Sequence, residues 1–209
     1  YYLINPKTNM PFTFAQLLES VALISPLLRV RFSTSHPKDI TDEVLYTMMK
    51  YHNICKYIHL PVQSGSSRVL QLMNRTYTRE WYLAKVARIK ELMPECSISS
   101  DIIAGFCTES EEDHQETLSI MQLAQFDYAY MYYYSERPGT LAEKRYEDDV
   151  PLEVKKRRLQ EIVDVQWHLS NNSNKNEVGK VYEVLIEGNS KKSDQEWMGR
   201  TSQNKVVVF

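Results

Sequence analysis

Four short runs in this sequence have the make-up of ligand-binding loops. They are Ser33-Thr34-Ser35-His36-Pro37, Pro61-Val62-Gln63-Ser64-Gly65-Ser66, Gly105-Phe106-Cys107-Thr108-Glu109-Ser110 and Ser135-Glu136-Arg137-Pro138-Gly139-Thr140. Gln63 and Ser64 can each donate and accept hydrogen bonds, which suits a ribose or an amino-acid group. Gly105 lets backbone approach a ligand closely. Arg75 and Arg137 each suit a paired contact with a carboxylate or phosphate. Asp101 lies inside an apolar run, where a carboxylate needs a partner. Plainer readings stand beside these. Gly105 and Gly139 serve as turn glycines, Arg75 complements a helix end, His36 is a turn residue before Pro37, and His59 is a satisfied core histidine. Taken singly, most of these residues favour the plainer reading. Four such loops converging on one face are what define a site.

The elements that would bring the loops together alternate along the chain. Helical spacing places Phe14, Leu17, Leu18 and Val21 on one face, ending before Pro26. Val30-Arg31-Phe32 reads as a short strand. Thr41 caps a helix with Leu45, Met48 and Met49 inward. Tyr57 to Leu60 is a strand, Ser67 to Met73 a short helix, and Thr78 caps a longer helix burying Leu83, Val86 and Ala87. Ser97 to Phe106 is the next strand. Ser110-Glu111-Glu112-Asp113 has the form of a capping box, opening a helix to about Ala124. Tyr128 to Tyr134 is the fourth strand. Val150-Pro151 starts a long helix with Leu159, Ile162, Val163 and Trp167 inward. Four strands separated by helices predict right-handed crossovers and a parallel sheet, an α/β fold that binds ligands at the carboxyl ends of its strands.

After residue 170 the character changes. Asn171-Asn172-Ser173-Asn174 reads as a linker. Val181 to Glu187, Trp197 to Thr201 and Lys205 to Phe209 read as strands of a small antiparallel domain, with a turn at Gly188-Asn189-Ser190. The predicted division is therefore 1–170 and 171–209. Tyr1 in place of Met, and an abrupt end at Val206 to Phe209, predict an internal piece of a longer protein.

Of the 209 residues, 43% are hydrophobic and 25% charged, ordinary values for a globular chain able to bury a core. A formal net charge of -2 gives no global attraction to nucleic acid. No apolar run is long enough to span a membrane, and no signal peptide is visible. The 3 cysteines, Cys55, Cys96 and Cys107, are spaced neither as a disulfide framework nor as a metal cluster, and read as reduced thiols. No metal ligand is assigned. Lys155-Lys156-Arg157-Arg158 reads as a solvated helix face. Lys191, Lys192, Arg200 and Lys205, beside Trp197, suit phosphate contact and base stacking.

The loops, taken in order, resemble those of the radical S-adenosylmethionine methylthiotransferases. The likeness lies in Arg31-Phe32-Ser33-Thr34-Ser35-His36-Pro37, His59-Leu60-Pro61-Val62-Gln63-Ser64-Gly65-Ser66, Met73-Asn74-Arg75, Asp101-Ile102-Ile103-Ala104-Gly105-Phe106 and Ser135-Glu136-Arg137-Pro138-Gly139-Thr140. It runs colinearly over nearly the whole chain. Ser35-His36-Pro37 and Gln63-Ser64 resemble the branch acting on N6-isopentenyladenosine next to the tRNA anticodon. The branch acting on a ribosomal-protein aspartate has Tyr-Pro and Gln-His there.

That resemblance implies strands three to six of a partial (β/α)6 barrel, followed by the start of a TRAM-like domain. For the full-length enzyme it implies S-adenosylmethionine, two 4Fe-4S clusters whose ligands are not in this chain, tRNA as substrate, a flavodoxin-type electron donor and a cytoplasmic location. The implied reaction cleaves S-adenosylmethionine, abstracts hydrogen from C2 of the modified adenine, and installs sulfur and a methyl group there. Gln63, Ser64, Gly105, Phe106 and Arg75 would contact the cofactor, and Ser35, His36, Arg137, Trp197 and Arg200 the substrate. No residue of this chain is a primary catalyst, and the chain alone is expected to be inactive. One departure matters: the family has Phe-Pro-Gly-Glu-Thr where this chain has Phe106-Cys107-Thr108-Glu109-Ser110, which removes turn preorganisation. Competing readings are the ribosomal-protein target, a non-catalytic RNA-binding module, and an unrelated α/β enzyme for a phosphorylated small molecule. The last lacks a Gly-rich phosphate loop.

Overall fold

The computed structural model describes residue 4 and residues 9–33 and 36–209. A parallel sheet of three strands lies at its centre: β1 (Tyr57–His59), β2 (Ser97–Ala104) and β3 (Tyr128–Tyr133), in that spatial order. Among the described residues, seven α-helices accompany it: α1 (Phe14–Ala22), α2 (Asp42–Lys50), α3 (Ser67–Leu72), α4 (Arg79–Leu92), α5 (Glu111–Ala124), α6 (Leu141–Arg145) and α7 (Leu152–Lys175). Thr13, Thr41, Ser66, Thr78, Ser110 and Thr140 cap α1 through α6, each hydroxyl accepting from the N–H three residues on. Such a cap is worth about 1 kcal/mol.

Alternation along the strands divides the sheet. Ile58, Ile98, Ile102 and Ala129 point to one face and are buried in the core with Leu45, Met48, Tyr82, Ile89, Phe126 and Ile162. The other face is polar. Register aligns Tyr57 with Ser97, His59 with Ser99, Ser99 with Tyr128, Asp101 with Tyr130, and Ile103 with Tyr132. Tyr128, Tyr130 and Tyr132 are all exposed.

The first predicted strand is reduced to a single parallel bridge between Val30 and Ile54. Its partner lies in the turn before β1, so pairing stops after Val30 N–H to Asn53 O and Cys55 N–H to Val30 O. The buried face of α1 is Ala15, Leu18 and Ala22, with Leu17 exposed, and Met49 of α2 is exposed. In α4 the inward residues are Tyr82, Val86 and Ile89, while Ala87 is exposed.

Residues 171–174, read as a linker, are the last turns of α7, so the predicted 170/171 boundary falls inside a helix. Polar side chains hold that end: Ser170 Oγ and Ser173 Oγ donate to Asp127 O and Oδ1. The inward stripe of α7 is Lys155, Arg158, Ile162, Gln166 and Leu169, and Trp167 is exposed. The solvated-face reading of the basic run therefore fails at the buried Lys155 and Arg158, whose charges pair with Asp148 and Glu109.

The second sheet is antiparallel, of β4 (Leu185–Ser190), β5 (Ser193–Arg200) and β6 (Val206–Val208). Its hairpin turns at Lys191-Lys192 rather than at Gly188-Asn189-Ser190, which form part of β4 around register shifts. Among the described residues, no helix is long and apolar enough to cross a membrane.

Candidate functional site

The carboxyl ends of β1, β2 and β3 open into a cleft of about 590 Å³ lined by Gln63, Arg75, Asp101, Ile103, Tyr132, Tyr134, Arg137 and Thr140, among others. Gln63 follows β1 and is locked against β2: its N–H donates to Asp101 O at 2.8 Å and its carbonyl accepts from Ile103 N–H at 2.9 Å. It adopts φ +71, a left-handed conformation uncommon for a residue with a Cβ. Backbone of this kind persists only where its surroundings over-determine it, and gathers at ligand sites. Arg75 reaches the cleft from the turn after α3, where its N–H donates to Leu70 O. Asp101 has the partner its position demands, with His59 Nε2 3.4 Å from Oδ1. His59 Nδ1 lies 2.8 Å from Ser99 Oγ, which also meets Tyr57 OH at 2.6 Å.

Behind the cleft, the loop after β2 is held from two sides. Gly105 has φ +68 and its N–H donates to Glu109 Oε1 at 2.8 Å. From α7, Arg158 donates to that same oxygen at 3.0 Å and to Glu109 O at 2.9 Å. Burial pushes the Glu109 carboxyl up, against the pull of the Gly105 amide and Arg158. Lys155 lays its stem against Gly105, and its ammonium pairs with Asp148 and donates to Tyr134 O. From the other side, Arg68 of α3 donates to Thr108 O at 2.6 Å and pairs with Asp113 of α5. Ser66 Oγ donates to Asp113 Oδ1 at 2.6 Å and Ser110 N–H to Oδ2 at 2.8 Å. Burial raises the Asp113 carboxyl, but these bonds outweigh it and hold the group well below the usual range. The turn survives the loss of Pro and Gly, with Thr108 taking the left-handed conformation at φ +62.

The predicted residues thus separate. Gln63, Arg75 and Arg137 line one cleft. Ser64, Gly105 and Phe106 do not line it. Ser64 is fully buried, 3.4 Å from Thr117 Oγ1 and accepting from Ser66 N–H. Phe106 packs edge-on to Tyr134 at 4.9 Å between ring centres, with Val69 and Cys107. Ser35 lies outside the described residues. His36 caps a 3-10 turn at Pro37–Asp39 and meets Tyr77 edge-on at 5.3 Å. Trp197 and Arg200 belong to β5; Arg200 lines a separate cleft of about 430 Å³ with Tyr57, Tyr128, Tyr130 and Lys205. The sequence reading leaves out Arg68, gives Asp113 only a capping role, and places Lys155 and Arg158 on a solvated face. Their signal was available: Lys155 and Arg158 share the helical stripe of Ile162 and Leu169, so a helix burying those two must bury both cations.

Neither the cysteines nor the acidic groups supply a cluster site. Cys55, Cys96 and Cys107 are all buried, and burial pushes every thiol up, that of Cys96 to about 12. Among the described residues, none of the three lies in a group of three or more ligand-bearing side chains. Glu111, His114 and Glu161 bring possible ligand atoms within 4.8 Å of one another, but Arg157 already pairs with both carboxylates, at 2.7 and 2.6 Å.

A parallel α/β sheet with polar loops at its carboxyl ends, continued by a small antiparallel sheet, is the architecture these elements define. The sequence profile of the Radical SAM superfamily matches residues 6–121 and that of the TRAM domain residues 175–209. The first covers more than half of the chain, which belongs to the Radical SAM superfamily. Three curated relatives share one description, tRNA-2-methylthio-N(6)-dimethylallyladenosine synthase. The chain is 68% identical to that of Amoebophilus asiaticus over 94% of its own length, 58% to that of Phocaeicola vulgatus over 97%, and 55% to that of Bacteroides thetaiotaomicron over 100%. It spans 40%, 44% and 46% of those relatives' lengths. Coproporphyrinogen III oxidase (HemN) of Escherichia coli, a radical SAM enzyme, shares the fold over 64% of this chain and 31% of that one, with TM-score 0.54 and 23% identity. Superfamily membership implies use of S-adenosylmethionine and an iron–sulfur cluster. The cleft's polar rim fits the first; the buried thiols described above do not fit the second.

Proposed function

We propose that the full-length protein is a tRNA methylthiotransferase acting on C2 of N6-isopentenyladenosine beside the anticodon, and that this chain forms one wall of its S-adenosylmethionine and substrate site. The convergence of Gln63, Arg75 and Arg137 on a single cleft at the carboxyl ends of the parallel strands carries this reading. Relatives of one description over nearly the whole chain support it. The cofactors supply the radical chemistry when bound. What this chain's residues do is hold and orient. Gln63, fixed in position by its backbone bonds, offers amide and carbonyl groups to the cofactor. Arg75 offers its guanidinium to a carboxylate, and Arg137 its own to substrate phosphate. Gly105 and Phe106 brace the wall behind. Trp197 and Arg200 contact RNA. Two 4Fe-4S clusters held outside this chain, and a flavodoxin-type donor in the cytoplasm, complete the proposal.

The deciding experiment is nucleoside mass spectrometry of tRNA from cells lacking the endogenous enzyme and complemented with the full-length gene. The 2-methylthio form of isopentenyladenosine should appear. Persistence of the unmodified nucleoside, with cluster-loaded protein present, would overturn the tRNA assignment and direct the same assay to ribosomal-protein aspartate.

A further inference from the structure

The amino-terminal edge of the parallel sheet, opposite the cleft, meets the loop between β5 and β6. Arg31 Nη1 donates to Asn204 Oδ1 at 2.9 Å and Nη2 to Thr201 O at 2.7 Å. Arg29 Nη1 donates to Arg200 O at 2.7 Å, and its Nη2 pairs with Glu183 at 2.6 Å. Lys56 N–H, just ahead of β1, donates to Ser202 Oγ at 2.9 Å. Lys205 Nζ donates to Ser173 Oγ and Asn174 Oδ1 at 2.8 and 3.1 Å, on the last turns of α7. The loop is stiff in itself. Asn204 holds φ +65, Thr201 N–H donates to Lys205 O, and Thr201 is buried. Four residues of one loop, with Arg200 at the end of β5, are thus fastened to both termini of the sheet-and-helix unit, with forked guanidinium contacts at the centre. A lysine cannot reproduce two divergent donors on one plane.

We propose that Arg31, assisted by Arg29, is a positioning residue for RNA. By clamping the β5–β6 loop to the sheet, it fixes the second sheet's outer surface at a set distance from the cleft. The inference rests on the reading that the full-length protein modifies RNA. β5 runs 8 residues from the clamped loop to the Lys191-Lys192 tip. At about 3.3 Å per residue it is a lever of roughly 26 Å. A pivot of about 10° at the clamp would swing the tip by roughly 4–5 Å, given that strand rise. That exceeds the tolerance of a hydrogen bond to phosphate. Arg31 lies in the same run as Ser35 and His36, yet it points to the opposite end of the sheet from the cleft.

The test uses the full-length, cofactor-loaded protein and its Arg31→Met, Arg31→Lys and Asn204→Ala variants. Fluorescence anisotropy with labelled tRNA carrying isopentenyladenosine reads RNA affinity, and equilibrium dialysis reads S-adenosylmethionine affinity. Both Arg31 variants should bind RNA about tenfold more weakly, with S-adenosylmethionine affinity within twofold of the parent. Asn204→Ala, which keeps the arginine, should lose about threefold. Unchanged RNA affinity in folded Arg31→Met overturns the inference, as does full recovery with lysine or an equal loss for both ligands. If Arg31→Met does not fold, unchanged RNA affinity in Asn204→Ala overturns it. A parent protein that binds no tRNA defeats the functional reading itself, an outcome visible before any variant is measured.

Discussion

Arg158 and Glu109 face each other with almost no access to solvent, joined at 3.0 Å between side chains and at 2.9 Å from the guanidinium to the Glu109 carbonyl. The pair ties α7 to the loop behind the cleft, and the same carboxylate oxygen takes the Gly105 amide.

Replacing Arg158 with Met should therefore strand a buried carboxylate. Breaking such a pair costs about 3–5 kcal/mol, measurable by urea unfolding at pH 7. Burial already raises the Glu109 carboxyl, so protonation relieves the variant and the loss should shrink on acidification. A loss independent of pH would mean that Glu109 gains another partner.

Thr108 is a β-branched residue held at φ +62. Such a conformation costs roughly 1–2 kcal/mol, of which the greater chain entropy of glycine offsets about 0.4–1 kcal/mol. Thr108→Gly should stabilise by about 0.5–1 kcal/mol in thermal unfolding. A destabilised variant would show that the 3.1 Å bond from Arg68 to Thr108 Oγ1 outweighs the strain.

Gly105 and Gly139 both have positive φ, +68 and +82, yet alanine should separate them. A Cβ on Gly105 would collide with the Lys155 stem, whereas nothing lies within 4 Å of one on Gly139. Gly139→Ala should cost about 1–2 kcal/mol of backbone strain. Gly105→Ala should cost at least about 2 kcal/mol more, from overpacking. Equal losses in denaturant titrations would mean that Lys155 yields freely.

Acid stability should depend on Asp113 and His114. Asp113 has a depressed folded pKa, so its contribution is present above about pH 4 and lost as pH falls through the folded value. Burial lowers the His114 pKa despite Glu161. The unfolded state therefore binds its proton first, and stability falls as pH drops below about 6.5. Stability against pH should lose its upper inflection in His114→Gln, and its lower one, to which Glu111 with a carboxyl held at about 2 also contributes, should weaken in Asp113→Asn. An unchanged profile in either variant would contradict the assignment.

All three thiols should resist an aromatic disulfide reagent at pH 8 in the folded protein and react at once in urea. Burial excludes the reagent, and it raises every thiol, that of Cys96 to about 12. Rapid labelling of the native protein at any of them would show local opening there.

Much of this molecule is local chemistry and was legible in the sequence. β1, β2 and β3 lie inside the runs read as strands, Tyr57 to Leu60, Ser97 to Phe106 and Tyr128 to Tyr134. Hydroxyl caps start six helices, and the Ser110–Asp113 box forms as read. Because parallel strands present their carboxyl ends on one side, loop order alone brought Gln63, Arg75 and Arg137 into one cleft. Direction and burial were another matter, since they depend on what packs from distant parts of the chain. Ser64 and Phe106 turn away from the cleft because Thr117 and Tyr134 receive them. Arg31 turns toward Thr201 and Asn204, some 170 residues on. Lys155 and Arg158, chemically ordinary surface residues, are buried because Asp148 and Glu109 wait for them. A linker-like composition at residues 171–174 became helix through contacts with Asp127 and Lys205. Local sequence determined the elements and the order of their loops. Only the tertiary structure decided which polar groups line the cleft and which neutralise one another away from it, because a charge is buried only where folding brings it a partner.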